Sequence, residues 1–196
     1  MSHRILLLTL LHPLPDNPAR GSFVADRARL LRKMGHEVRV VNVLPRMMKM
    51  HEQRRSTMQG VAKAPRRFEY EGNEVLVVRY TAFPEHPLPG WTASSIKRRA
   101  KNVEKWLGDW QPDLISVHTI WPAAELGRSL AERWNIPWMA TVHGHDFSVG
   151  LSAKQGNRIR ELCKNTDALV VVSNVLDGII ESSRVIPCHI EIPEES

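Results

Sequence analysis

Four runs of β-type residues in this chain each end on a polar, chemically capable segment. Ile5 to Leu11 leads into His12-Pro13-Leu14-Pro15-Asp16-Asn17-Pro18-Ala19-Arg20-Gly21-Ser22. Leu114 to Val117 ends on His118, Met139 to Val142 on His143-Gly144-His145-Asp146, and Ala168 to Val172 on Ser173-Asn174. In an open parallel α/β sheet the carboxyl ends of the strands share one edge, and ligands bind in the crevice there. The repeated pattern therefore predicts one rim carrying three candidate functional histidines and a glycine turn.

The segments between these runs supply the helices. Phe23, Ala28, Leu30, Leu31 and Met34 recur at helical spacing between Gly21 and a left-handed cap at Gly35. Glu37 to Leu44 reads as a second strand. Phe68 to Tyr70 and Glu74 to Tyr80, split by Glu71-Gly72-Asn73, read as a hairpin. Pro84, Pro87, Pro89 and Gly90 mark a loop, followed by one helix from Thr92 to Trp110. Asp113 to His118 is the next strand, and Pro122 suits the first turn of a helix buried along Ala123, Gly127, Leu130, Ala131 and Trp134. A strand from Ile136 to Val142, a helix near Ala153 to Lys164 and the strand Ala168 to Val172 follow. A last helix capped by Ser173 or Asn174 is expected to run to about Ser183, and Val185-Ile186-Pro187 ends the pattern. Alternating strands and helices predict an α/β fold with a parallel sheet and right-handed crossovers.

At 196 residues the chain can bury one full core. No apolar run approaches the roughly 20 residues that span a bilayer. Ile5 to Leu11 lacks a small-residue cleavage site, so it reads as a buried strand rather than a signal peptide. The only cysteines, Cys163 and Cys188, show no metal-ligand spacing; they suit a reducing cytoplasm and no zinc. Net charge is +6, with excess on Arg46, Lys49, Arg54, Arg55, Lys63, Arg66 and Arg67 and again on Lys97, Arg98, Arg99, Lys101 and Lys105. Such runs suit a solvated face, or an anionic membrane surface or phosphate-bearing lipid. No nucleic-acid motif accompanies them, so no nucleic-acid partner is expected. The stretch Pro45 to Pro65 is long for a structureless loop. Its methionines, Met47, Met48, Met50 and Met58, are either packing filler or a small membrane-touching segment.

Among the rim residues, a strand-end histidine such as His118 taken alone reads as a hydrogen-bonded structural group. Two more histidines ending a neighbouring strand add weight to proton exchange or to hydrogen bonding of a sugar hydroxyl. Gly144 lets the backbone turn sharply, and Asp146 can accept from hydroxyl groups or cap the following turn. The His143 to Asp146 cluster lacks the partners of a metal site. Gly21-Ser22 fits neither a dinucleotide fingerprint nor a Walker loop, although a helix N-terminus favours an anion such as pyrophosphate. Glu125 and Asp26 read as surface residues of first helical turns.

Five segments, in order, resemble the amino-terminal domain of glycosyltransferase family 4. They are Pro18 to Val24, the Arg32 to Val41 passage containing Gly35-His36-Glu37-Val38, Pro112 to His118, Thr141 to Asp146, and Asp167 to Ser173. The resemblance implies a Rossmann-like open parallel sheet with helices on both faces, one half of a GT-B architecture. It implies retaining transfer from a nucleotide sugar without metal or other cofactor, as in bacterial exopolysaccharide or cell-wall glycan synthesis. It further implies that Gly21 and Ser22 approach the donor phosphates, that His118 is the catalytic-centre residue contacting the transferred sugar or orienting the acceptor, and that His143, His145 and Asp146 lie in the acceptor site. The acceptor would be a glycan or lipid-linked, and the setting cytoplasmic, peripheral at the inner membrane face. Residues 1–187 would form the acceptor domain and 188–196 the start of a linker to a donor-binding domain supplied in cis or in trans. His189 stands where the family usually has glycine. Without the donor half, little or no activity is expected of this chain, and a non-catalytic sugar or lipid-phosphate binding module is the alternative.

Overall fold

The computed structural model describes residues 2–54, 56–82, 88–180 and 183–187. Its centre is β1 (Arg4–Thr9), which pairs in parallel with β2 (Glu37–Pro45) on one side and β5 (Leu114–His118) on the other. Beyond β2 lie β4 (Asn73–Tyr80) and the antiparallel edge strand β3 (Arg67–Tyr70). Beyond β5 lie β6 (Trp138–Val142), β7 (Ala168–Val171) and β8 (Ser183–Val185), all parallel. The order is β3-β4-β2-β1-β5-β6-β7-β8.

This order fixes the layers. The chain leaves β1 in one direction for β2, and from β5 it moves the opposite way to β6 and β7. Right-handed crossovers then put the connecting helices on opposite faces. Ile5 and Leu7 pack with Val24 and Ala28 of α1 (Ser22–Lys33). Leu6 and Leu8 join the larger core covered by α2 (Pro89–Lys97), α3 (Ala100–Leu107), α4 (Ala123–Trp134) and α5 (Gly156–Lys164). Burial on both faces explains why the β1 sequence is continuously apolar instead of alternating. The architecture is thus the Rossmann-like open sheet with helices on both faces. It reverses direction between β1 and β5, where a crevice opens.

Several local expectations need correction. β1 stops at Thr9, because Thr9 Oγ1 donates to Leu11 O (2.9 Å) and accepts from Leu11 N (3.0 Å), turning the chain. The helix expected from Thr92 to Trp110 is two helices, interrupted at Arg98-Arg99. Ser173 does cap a turn, accepting from Val175 N at 3.3 Å, but that turn is a short 3-10 segment (Asn174–Leu176) that gives way to extended Asp177. β8 carried too short an apolar signal to be anticipated. Pro84, Pro87, Glu181, Ser182 and the expected linker at 188–196 lie outside the described residues. In the Pro45 to Pro65 stretch, two 3-10 turns form, and Met47 and Met58 pack around Leu14, Leu44, Val61 and Val77. Met48 and Met50 are exposed. Among the described residues no helix is long and apolar enough to cross a membrane.

Glu125 is not a surface residue. It is 2% exposed, with Arg158 of α5 at 2.6 Å and Lys97 of α2 at 3.1 Å, so one buried carboxylate pins three helices together. Periodicity could not reveal this, since the partners come from distant helices. Asp26, half-buried, pairs with Arg29 at 2.6 Å.

Candidate functional site

The β1–β5 reversal places His118, the last residue of β5, beside Thr9 of β1 and Thr141 of β6. The polypeptide then turns through Thr119 in left-handed backbone (φ 69°), an unfavourable region for a β-branched residue. This turn is held by Asp146, whose Oδ1 accepts the Ile120 backbone N–H at 3.1 Å, and by Thr119 N donating to Thr141 O at 3.1 Å. Asp146 is therefore turned inward and is nearly fully buried, whereas its neighbour His145 is exposed.

His118 and His143 stack at 28°, with His118 Nδ1 3.4 Å from His143 Nε2. His143 in turn packs on Phe23 of α1, ring centroids 4.7 Å apart. Burial, reinforced by His143 and Arg27, pulls the His118 pKa down to about 3; burial pulls His143 down to about 4. At neutral pH both rings are uncharged, each with one N–H and one lone-pair nitrogen. They act as hydrogen-bonding groups there and not as a pool of positive charge. Burial pushes the Asp146 carboxyl up to about 6, opposed by hydrogen bonds from the backbone.

Phe23, Arg27, His118, Thr141 and His143 line one crevice together with Val170 and Ile186. Two buried polar atoms among these residues, His118 Nε2 and Thr141 Oγ1, have no hydrogen-bond partner. Both atoms are able to exchange hydrogen bonds, His118 Nε2 as donor or acceptor according to tautomer and Thr141 Oγ1 as either. Among the described residues, no three His, Cys, Asp or Glu side chains converge in a way that could hold a metal ion.

Gly21 stands at the opening of α1, at φ 61°. A Cβ there would lie 2.5 Å from the carbonyl carbon of Leu11. Only glycine fits, and the backbone of the Leu11-His12 turn presses directly on the helix start. Ser22 is exposed. Arg20 secures the turn: almost fully buried, it donates to His12 O and Thr57 O (both 2.7 Å) and to Leu10 O. Burial lowers its pKa to about 10.

The structure thus brings His118 and His143 together, keeps Asp146 behind them as a support for the loop, and leaves His145 at the surface. Sequence reasoning missed Arg20, Arg27 and Thr141. The four-residue spacing of Phe23 and Arg27 was the available sign that both share one face of α1. Thr141 was hidden inside an apolar strand, and a buried arginine is too uncommon to expect from composition.

An open sheet with its crevice at this reversal is the form of one GT-B half, and known structures share it. Arabidopsis thaliana UGT89C1 complexed with UDP superimposes with a TM-score of 0.54 at 13% identity, over 98% of this chain and 50% of that one. Its complex with UDP-L-rhamnose gives 0.50 at 13% identity, over 88% and 45%. Residues 21–187 match the glycosyl transferase 4-like domain, and the chain belongs to that family. A Bacillus subtilis (strain 168) protein, TuaC, whose name assigns it to teichuronic acid biosynthesis as a glycosyltransferase, is 29% identical over 157 residues. That match takes in 74% of this chain and 37% of the relative, so this chain spans well under half of the relative's length.

Proposed function

We propose that this chain is the acceptor-binding half of a retaining, nucleotide-sugar-dependent glycosyltransferase of bacterial exopolysaccharide or cell-wall glycan synthesis. The observation that carries the proposal is the pair of unsatisfied buried atoms, His118 Nε2 and Thr141 Oγ1, at the sheet reversal of a glycosyl transferase 4-like domain. In the reaction, the bond between the sugar's anomeric carbon and the donor diphosphate breaks. A bond from that carbon to an acceptor hydroxyl oxygen forms, and the acceptor proton leaves with the departing diphosphate.

Neutral His118 would hold a hydroxyl of the transferred sugar or orient the acceptor, with its Nδ1 side fixed by His143. Asp146 would act by fixing the loop after His118, and His145 would meet the acceptor at the surface. Gly21 and Ser22 would let the donor phosphates approach the start of α1, where helix amides favour an anion. No metal or other cofactor enters this scheme. Residues 1–187 would serve as the acceptor domain, with a donor-binding domain in cis or in trans and little turnover without it. The acceptor would be a glycan or a lipid-linked one, met in the cytoplasm at the inner membrane face.

The test is to supply a donor-binding domain and follow transfer of labelled sugar from nucleotide sugars to a lipid extract. Turnover should depend on the added domain and fall at least about 100-fold in His118→Ala, within the range for a group acting directly at a reacting centre. Undiminished turnover by a folded His118→Ala variant would overturn the assignment. Sugar binding with no turnover under any pairing would favour the non-catalytic module.

A further inference from the structure

One cation enters the histidine crevice, and α1 supplies it. Phe23 and Arg27 stand four residues apart on that helix and so share a face. Both line the crevice with His118 and His143, and Phe23 packs directly on the His143 ring, centroids 4.7 Å apart. The remaining wall is apolar, formed by Val170, Val172, Ile186 and Pro187. The acids nearest at hand are committed elsewhere. Asp26, beside Arg27 in sequence, is held by Arg29 at 2.6 Å, and Asp146 accepts the Ile120 N–H behind the loop. Among the described residues no carboxylate lines the crevice, and no hydrogen bond or ion pair engages the half-buried Arg27 side chain.

A guanidinium partly withdrawn from water against an apolar wall is unfavourable unless an anion joins it. Its planar fork matches the paired oxygens of a carboxylate or a phosphate. The open space amounts to about 20 Å³, more than the roughly 10–15 Å³ that admits a water molecule and far less than a sugar ring occupies. The crevice therefore takes a single substituent and not a whole nucleotide. The two rings can adapt to its charge. His118 Nδ1 lies 3.4 Å from His143 Nε2, which leaves two neutral arrangements. If His143 donates, His118 carries its proton on Nε2; if His118 donates, its Nε2 is a bare lone pair. An anion favours the first, because the Nε2–H then adds a second donor to that of the guanidinium.

We propose that Arg27 makes this crevice selective for an anionic substituent, a carboxylate or phosphate borne by a sugar, and that the substituent selects the His118 tautomer protonated at Nε2. That a sugar carries the anion rests on the transferase reading; selection by charge does not. A neutral sugar leaves the guanidinium unpaired in the crevice and is bound more weakly for that reason.

The test is an NMR titration of the full chain, isotope-labelled at histidine and read at the ring nitrogens of His118 and His143. The probes are glucuronate, glucose-6-phosphate, glucose and inorganic phosphate. At least one of the two sugar anions should shift both rings and bring His118 into the Nε2–H form, and glucose should not. Arg27→Gln, which breaks no contact of the fold, should weaken that binding at least about ten-fold, within the range for hydrogen bonds to charged groups. Arg27→Lys, which keeps the charge without the fork, should fall between the two. Arg32→Gln, exposed near the far end of the same helix, should change binding less than about three-fold. Equal loss in that control would mean diffuse attraction and overturn the site. Equal shifts with glucose, or no response to either sugar anion, would overturn the selectivity. Inorganic phosphate binding as tightly as the sugar anions would overturn the sugar as the source of the anion. None of these readouts involves turnover, so a failure here is separable from a failure of the transferase reading.

Discussion

Substituting Gly21 separates two effects that glycines usually combine. An alanine at φ 61° is held in left-handed backbone, which disfavours it by about 1–2 kcal/mol. Its Cβ would also meet the Leu11 carbonyl carbon at 2.5 Å, the Leu11 oxygen at 2.6 Å and His12 N at 2.9 Å. All three are backbone atoms of a turn that Arg20 clamps, so none can rotate aside, and the overlap adds about 1–3 kcal/mol. Gly35 provides the comparison: its φ is 88°, yet nothing lies within 4 Å of a Cβ built there. Gly35→Ala should therefore show the conformational effect alone. For a chain of this length about 1 kcal/mol moves Tm by about 2–4 °C. Gly21→Ala should melt about 4–20 °C below the parent and Gly35→Ala about 2–8 °C below, followed by circular dichroism with urea unfolding to convert the difference to free energy. Equal shifts for the two variants would refute the close approach of the Leu11 turn to the start of α1.

Glu125→Gln should destabilise the fold by about 2–3 kcal/mol in urea unfolding, somewhat below the about 3–5 kcal/mol for breaking a fully buried pair, because Arg158 and Lys97 keep partial access to water. An unchanged midpoint would mean that the three-helix clamp contributes nothing. The pH dependence has a sign set by opposing groups. His12, His118 and His143 are pulled down to about 4, 3 and 4, so the stability they lend is present above about 6.5 and is lost as pH falls toward those values. Asp146, raised to about 6, works the other way, its contribution being present below about 4 and lost as pH rises through 6. Near pH 5 the unfolded chain binds about two more protons in all, so stability should fall by about 2.7 kcal/mol per pH unit on acidification. His118→Asn should remove roughly one proton from that slope and Asp146→Asn should steepen it; a flat profile between pH 6 and 4.5 would contradict the burial of these rings.

The strand-to-helix alternation was legible because each element carries its own periodicity, and the rim because every strand end changes abruptly from apolar to polar. The five ordered motifs pointed to the family, and residues 21–187 match its domain. Elements decided by contacts far away in the chain were not legible. The α2–α3 interruption lies inside an unbroken helical pattern, and β8 is three residues that exist as a strand only because β7 is beside them. Within the site, His118 and His143 could be proposed from their places at strand ends. The inward turn of Asp146 could not, since it depends on the Ile120 N–H that the strained Thr119 turn presents to it.

The position of β1 bears on how the chain reaches this structure. One side of the strand is completed by β2 a few dozen residues later, but the other waits for β5: Arg4 N donates to Asp113 Oδ2 across 109 positions of sequence. As the polypeptide emerges from a ribosome, β1 to β4 can assemble while Ile5 to Leu8 still present an unpaired, apolar edge. An open edge of that kind recruits other chains, and closing a long loop to seal it is slow. Folding of this domain should therefore pass through a half-sheet whose lifetime is governed by the arrival of residues 114–118, a window in which a chaperone would have something to hold.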